Sequence, residues 1–434
     1  MRKAAFHTLG CKVNSYETEA MQELLVKAGY EIVPFEEAAD VYIVNTCSVT
    51  NMADRKSRQM LHRAKKKNPE AIVVAAGCYV QEDPQKVQED EAVDLIVGNN
   101  KKKELPEILE AFFDGNETET VQDLKRCYEY EELEVSSVSE RTRAYVKVQD
   151  GCNQFCSYCI IPYTRGRVRS RRTEDVIEEV NRLAQSGTKE IVLTGIHLSS
   201  YGTDFEEKSS LLELVQAIHP IQGIERIRIG SLEPGIITED FAYALKQMNK
   251  VCPHFHLSLQ SGCAETLKRM NRRYTPEEYY DKCEILRRVF DEPAITTDVI
   301  VGFPGETEEE FLITKAFLEK VHFFEMHIFK YSRRKGTKAD RMSDQVPEQI
   351  KSVRSDMLLE LEKQMSEEYR FRQLHKPVSV LLEEEAVING QRMMVGHTPE
   401  YVKCAVKTSA ESNAVLTVTC TQLYQGEILL GEIE

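Results

Sequence analysis

Residues 143–159 read RAYVKVQDGCNQFCSYC. RAYVKVQ (143–149) reads as a strand, rich in β-branched and aromatic residues. Cys152, Cys156 and Cys159 follow it directly as a CxxxCxxC. Three thiolates on one tight loop can hold three irons of a 4Fe–4S cluster. The fourth iron then stays open to bind and reduce a substrate directly. A zinc site takes four protein ligands, and no CxxC or HxxxH partner lies nearby. Zinc and a redox-active thiol pair are the alternatives. Gly151 and the aromatic Tyr158 fit a loop that also packs a ligand.

Downstream the strand pattern repeats in EIVLTG (190–195), RIRIGS (226–231), HLSLQS (256–261), TTDVIVGF (296–303) and FEMHIFKYS (324–332). Helical patterns fall between, and Thr173-Glu174-Asp175 and Thr275-Pro276-Glu277-Glu278 are good helix starts. Six strands with helical crossovers predict a parallel, partial (β/α)6 barrel. A long charged helix follows near 346–370, closing a central unit of 141–368.

Upstream, AAFHTL (4–9), VYIVNT (41–46), AIVVAAG (71–77) and VDLIVG (93–98) read as buried parallel strands of an α/β unit over 1–112. Cys11, Cys47 and Cys78 each come just after a strand. Functional groups gather at the carboxyl ends of strands in open parallel sheets, so these three cysteines are expected to meet at one edge. The alternative is three unrelated buried thiols. Residues 113–140 are acidic and weakly periodic and read as a linker, and 371–434 as a small antiparallel OB-like barrel.

The 434 residues suggest about three domains. Hydrophobic content of 41% and charged content of 29% exclude global disorder. No run of about 18 apolar residues exists, so no membrane span is expected. The opening MRKAAFHTLGCKVN has a basic tip without the apolar run of a secretory signal, and a cytoplasmic location is expected. Twelve cysteines then point to metal or redox use rather than a disulfide scaffold. The net charge of −15 argues against general nucleic-acid binding. Two basic patches break that average, RKSRQMLHRAKKK (55–67) and RGRVRSRR (165–172). They suit a specific anionic partner, and a solvated helix face or a salt-bridged loop is the alternative.

These motifs resemble the radical S-adenosylmethionine (SAM) enzymes, and more narrowly the methylthiotransferases that modify transfer RNA. LGCKVNSYETE (9–19), NTCSVT (45–50), GCYVQ (77–81), the CxxxCxxC, IPYTRGRVRSR (161–171), LTGIHLSSYG (193–202), HLSLQSG (256–262) and DVIVGFPGETEE (298–309) carry the resemblance. The tail resembles the TRAM domain, a small RNA-binding barrel. GCKVNSYETEA resembles the branch acting on threonylcarbamoyladenosine, since the isopentenyladenosine branch more usually has Gln-Met-Asn after its first cysteine.

The resemblance implies two 4Fe–4S clusters, one on Cys152, Cys156 and Cys159 and one on Cys11, Cys47 and Cys78. The first binds and cleaves S-adenosyl-L-methionine, and the second carries the sulfur. Tyr158, Thr194, Gly195, Ser258, Gln260 and Gly302 are the implied SAM contacts, with turn capping the alternative for Ser258 and Gln260. Arg165, Arg167, Arg169 and Arg171 are implied phosphate contacts. The expected reaction adds a methylthio group at C2 of N6-threonylcarbamoyladenosine beside the anticodon, where an unactivated C–H bond requires radical chemistry. The expected partners are a tRNA anticodon stem-loop, an electron donor and a sulfur source. The same chemistry on isopentenyladenosine or a ribosomal-protein aspartate, and a non-catalytic iron–sulfur RNA-binding protein, are the competing readings.

Overall fold

VYIVNT folds as the central strand β3 (Val41–Thr46), with all six residues buried. Tyr42 and Val44 pack into one apolar cluster and Val41 and Ile43 into another. That is the period of two expected when helices cover both faces of a parallel sheet. The sheet also contains β1 (Lys3–Thr8), β2 (Glu31–Val33), β4 (Ile72–Gly77) and β5 (Leu95–Val97). All pairings are parallel, in the order β2-β1-β3-β4-β5. The edge strand β2 escapes a pattern reading because three residues, one exposed, one half-buried and one buried, are too few to carry a period. The computed structural model describes residues 1–136 and 142–433.

The second series forms six parallel strands, β6 (Arg143–Asp150), β8 (Glu190–Gly195), β9 (Arg226–Ile229), β10 (His254–His256), β11 (Ala294–Val301) and β12 (Glu325–Lys330). A two-residue strand β7 (Arg169–Ser170) lies antiparallel to β6 on its free edge. β6, β8 and β9 pair in one run and β10, β11 and β12 in another. Parallel bridges Ile227↔Val251 and Leu232↔Leu257 join the two runs. Among the described residues β12 pairs only with β11, so the barrel is open, as the six-strand pattern predicts. Outward residues such as Val146, Ile191, Ile227 and Val299 share one core with the covering helices. The helix Pro276–Val289 starts on a capping box between Thr275 and Glu278. The helix Thr173–Gln185 starts where expected, but Arg172 holds its cap position and Thr173 Oγ1 bonds the Tyr201 hydroxyl instead.

The tail is a closed five-stranded barrel of β13 (Pro377–Ile388), β14 (Gln391–His397), β15 (Lys403–Val406), β16 (Val415–Tyr424) and β17 (Ile428–Ile433). All pairings are antiparallel except β15 with β17. Its Thr398–Tyr401 loop closes the lower end of the large barrel, where Arg226 and Arg228 donate to the carbonyls of His397 and Pro399. The helix Glu348–Arg372 joins the two barrels.

Residues 114–136 form no helix or strand, yet they are not a free linker. Leu124, Cys127, Leu133 and Val135 are buried, and the Tyr130 hydroxyl donates to the Lys147 carbonyl at 2.7 Å. Most acidic side chains of this strap are exposed, Glu131 is buried and accepts from Lys103 N at 2.9 Å, and the sparse apolar residues pin the strap across two units. The last residues of the expected linker, 137–140, lie outside the described residues. Among the described residues no helix is long and apolar enough to cross a membrane.

Candidate functional site

β1, β3 and β4 are neighbours whose carboxyl ends lie level, with Thr8 beside Asn45 and Thr46 beside Gly77. Cys11, Cys47 and Cys78 follow those ends and so converge. Gly10, with φ +102°, lies so close to Cys47 that a Cβ there would stand 2.8 Å from the Cys47 Cβ. Asn14, in the first turn of helix α1 (Lys12–Lys27), ties the edge together. Its amide donates to the carbonyls of Leu9 at 2.7 Å and Thr46 at 2.9 Å. Its Oδ1 lies 3.9 Å from Cys11 Sγ. Burial, with Cys78 and Cys11 beside it, pushes the Cys47 thiol up to about 12. Cys47 and Cys78 are buried, and Cys11 is exposed toward the open side.

Cys152, Cys156 and Cys159 sit on the loop after β6, again at a strand's carboxyl end. Gly151 has φ +70°, and a Cβ there would stand 1.8 Å from the Arg167 carbonyl oxygen, so only glycine fits. Cys152 N donates to Gly166 O at 3.0 Å. Ser157 pins the loop through bonds to the carbonyls of Met270 at 2.9 Å and Arg269 at 2.7 Å. Burial pushes the Cys152 thiol up to about 11 and the Cys159 thiol up to about 12. Both stay protonated until a metal displaces the proton. All twelve cysteines are free. Each triad therefore offers three thiols with no disulfide partner and one adjacent guanidinium, a donor set suited to an anionic iron–sulfur cluster.

Those guanidiniums are Arg165 and Arg272. Arg165 Nε lies 3.3 Å from Cys78 Sγ, and its Nη2 donates to Asn14 Oδ1 at 2.7 Å. Its Nη1 reaches Glu17 at 2.8 Å and Asp150 at 3.1 Å. Lys147 and Lys102 also hold Glu17, at 2.9 and 3.0 Å. Burial would raise the Glu17 carboxyl, but Arg165, Lys102 and Lys147 hold it well below the usual carboxylate range. Four cations, Arg165, Lys147, Lys102 and Arg169, thus surround the two carboxylates of Glu17 and Asp150, and the Arg165 guanidinium also lies against the Cys78 sulfur. Arg272 Nη1 lies 3.3 Å from Cys156 Sγ, and its Nη2 pairs with Glu233 at 3.0 Å. Glu233 also meets His197 at 3.2 Å, and His197 and Arg272 hold it below its usual range against the burial that would raise it.

The arginine run is corrected by this geometry. Arg165, Arg169 and Arg171 are buried to 1% exposure or less and cannot reach an RNA phosphate. Arg169 donates to the Arg165 carbonyl at 2.9 Å, and Arg171 pairs with Glu179 and Tyr16. The packed edge between α1 and β6 needs buried cations to neutralise Glu17, Asp150 and Glu179. Of the four, Arg167 alone is exposed, over the Phe155 ring. In the other basic patch, Arg63 and Lys67 pair with Glu36 and Lys65 pairs with Asp94, so three of its seven cations are spent on the surface of their own domain.

The remaining expected residues lie around the barrel mouth. Thr194 is buried at the end of β8 with Gly195 beside it, packed on Gln149. The Ser258 carbonyl accepts from Arg272 at 3.2 Å and from the Tyr274 hydroxyl at 2.7 Å. Gln260 has φ +71° and bridges to Val299. Tyr158 stands edge-on to Phe303 at 6.5 Å. Gly302 serves a different purpose from the one expected: its N–H donates to Glu306 at 2.9 Å, and a Cβ there would stand 2.3 Å from Lys351 Cγ. Its glycine makes room for the long helix.

Sequence reasoning missed Arg272, Glu233 and the His256–Asp298–His327 cluster on the lumen side of β10, β11 and β12. His256 meets Asp298 at 3.3 Å and Thr296 Oγ1 at 3.0 Å, and its ring stacks on His327. The available signal was position, since His256 ends β10 and Glu233 lies on the loop just after β9. Arg272 had none, because it meets Cys156 from 116 residues away.

Residues 3–98 match the family described as "Uncharacterized protein family UPF0004", and residues 146–318 match the Radical SAM superfamily. A threonylcarbamoyladenosine tRNA methylthiotransferase, MtaB, of Bacillus subtilis is 42% identical over 94% of this chain and 91% of that protein. Its Aquifex aeolicus namesake is 42% identical over 88% of this chain and 93% of that protein. A tRNA-2-methylthio-N(6)-dimethylallyladenosine synthase of Acetivibrio thermocellus is 38% identical over 90% of this chain and 82% of that protein. Among solved structures, the radical S-adenosylmethionine methyltransferase TsrM of Kitasatospora setae shares the fold. It has a TM-score of 0.61 over 78% of this chain and 77% of that chain, at 16% identity. Two thiol triads, each at strand carboxyl ends, and identities of this size over nearly whole chains have one meaning: the chain belongs to the radical SAM tRNA methylthiotransferase family.

Proposed function

We propose that this protein adds a methylthio group at C2 of N6-threonylcarbamoyladenosine in a tRNA anticodon stem-loop. The contact of Arg165 with Cys78 carries the reading, because it joins the segment packed against the loop of one thiol triad to the other triad at 3.3 Å. Cys152, Cys156 and Cys159 would hold one 4Fe–4S cluster, and Cys11, Cys47 and Cys78 the other. When bound, these groups supply reductive cleavage of S-adenosyl-L-methionine and the sulfur to be transferred. An external electron donor and a sulfur source complete the requirement.

The chain's own residues orient and neutralise. Arg272 and Arg165 donate to the sulfurs of Cys156 and Cys78 and offset the anionic charge there. Glu233 and His197 hold Arg272 in place. Tyr158, Thr194, Gly195, Ser258 and Gln260 line the mouth beside Cys156 and form the proposed SAM contacts. Exposed Arg167, with exposed Arg55, Lys56 and Lys66 on the basic helix, is the proposed phosphate-contacting set.

The test is mass spectrometry of tRNA nucleosides with and without the gene. Loss of the methylthio-threonylcarbamoyl nucleoside on deletion is expected, and its unchanged persistence in a strain lacking a second such enzyme overturns the reading. Anaerobically reconstituted protein is expected to hold about eight irons and, with reductant, to release 5′-deoxyadenosine.

A further inference from the structure

The proposed substrate carries a carboxylate on its N6 substituent, and resting on that reading, we propose that Lys12 is the cation that binds it. A carboxylate entering a partly dehydrated chamber must meet a positive partner. Three side chains of suitable charge lie within electrostatic range of one another, Lys12, Arg143 and Arg228. Lys12 is also within electrostatic range of Asp298 and His254.

Two of the three are committed. Arg228 pairs with Glu190 at 2.9 Å and donates to the Pro399 carbonyl at 2.7 Å. Arg143 pairs with Glu383 at 3.1 Å and lies over the Tyr401 ring at 4.8 Å. The nearby anion, Asp298, is engaged by His256 at 3.3 Å. Arg165 and Arg272 are held by Glu17 and Glu233. Lys12 is exposed and makes no hydrogen bond or ion pair among the described residues.

Its position adds a reason. Lys12 follows Cys11 directly, and Cys11 is the exposed member of its triad. In adenine, N6 and C2 flank N1 on a single edge. An anchor for the N6 substituent beside Cys11 therefore turns C2 toward that same triad. Lys12 selects the substrate by charge and orients the carbon to be modified.

The test uses full-length, anaerobically reconstituted protein and two synthetic anticodon stem-loops. One carries N6-threonylcarbamoyladenosine, and the other its carboxamide. By fluorescence anisotropy the wild type binds the acid about tenfold or more tightly than the amide, the scale of one charge-assisted hydrogen bond. Equal binding overturns the assignment without any variant. In Lys12→Gln the preference falls to about one, and in Lys12→Arg it persists; a preserved preference in Lys12→Gln also overturns the assignment. A wild type that methylthiolates the acid stem-loop yet ignores the carboxylate removes only Lys12 from the account. Failure to methylthiolate that stem-loop removes the proposed activity itself.

Discussion

Arg165 Nε stands 3.3 Å from the Sγ of Cys78, so a side chain from the segment packed against the Cys152 loop touches the thiol triad of the other unit. The same guanidinium bonds Asn14, Glu17 and Asp150. Replacing it by methionine removes a cation shared by the buried Glu17 and Asp150 carboxylates, which costs about 3–5 kcal/mol. Arg165→Met is expected to lower the melting temperature and to lose the iron of the Cys11 triad, so that reconstitution yields about four irons rather than about eight. Arg165→Lys keeps the charge and is expected to retain both clusters with a shifted reduction potential. An unchanged potential in Arg165→Lys denies it a positioning role.

The two triads have separable duties. Cys156→Ala is expected to abolish release of 5′-deoxyadenosine, whereas Cys47→Ala keeps that release and stops sulfur insertion. Product analysis by liquid chromatography and mass spectrometry reads both. Equal loss of the two activities, with the fold intact by circular dichroism, contradicts this division.

Glu17 gives the fold an acid-sensitive seam. Its carboxyl is held well below the ordinary value of 4.5 by Arg165, Lys102 and Lys147. A depressed folded-state value stabilises above the unfolded value and is lost as pH falls through the folded one. Glu17→Gln is therefore expected to be less stable than wild type at pH about 7, by about 3–5 kcal/mol. The gap should close as the wild type is acidified below about 4.5. Denaturant titrations at several pH values check this, and a pH-independent gap refutes it.

Arg167 and Arg169 separate RNA contact from internal support. Arg167 is exposed, while Arg169 is 1% exposed and bonded to the Arg165 carbonyl. Arg167→Glu is expected to weaken stem-loop binding and to reduce the salt dependence by about one ion with no change in melting temperature. Arg169→Ala should instead destabilise the protein. A reversed pattern would restore Arg169 as a phosphate contact.

Gly151→Ala tests the loop that carries the CxxxCxxC. The added Cβ meets the Arg167 carbonyl oxygen at 1.8 Å, at a backbone φ of +70° that disfavours any side chain. The loop must shift, and loss of about four irons is expected. Iron analysis and absorbance near the iron–sulfur bands report it, and full iron content falsifies the geometric argument.

The sequence alone determined what local periodicity can express. VYIVNT shows a strand buried on both faces, because the unbroken apolar run Val41–Val44 needs cover on both sides. The strand-then-cysteine placement brought Cys11, Cys47 and Cys78 to one edge, because neighbouring parallel strands end level. The CxxxCxxC needs only its own short loop. Tertiary structure decided the fate of the charges. The run 165–172 reads as a basic surface, yet three of its arginines are buried against Glu17, Asp150 and Glu179, and Arg165 meets Glu17 from 148 residues away. Gly302 turned out to make room for Lys351, and Arg272 reached Cys156. Spacing along a chain specifies which face a side chain takes, but an ion pair depends on which distant element arrives there, and only the folded packing of α1 against β6 supplies that partner.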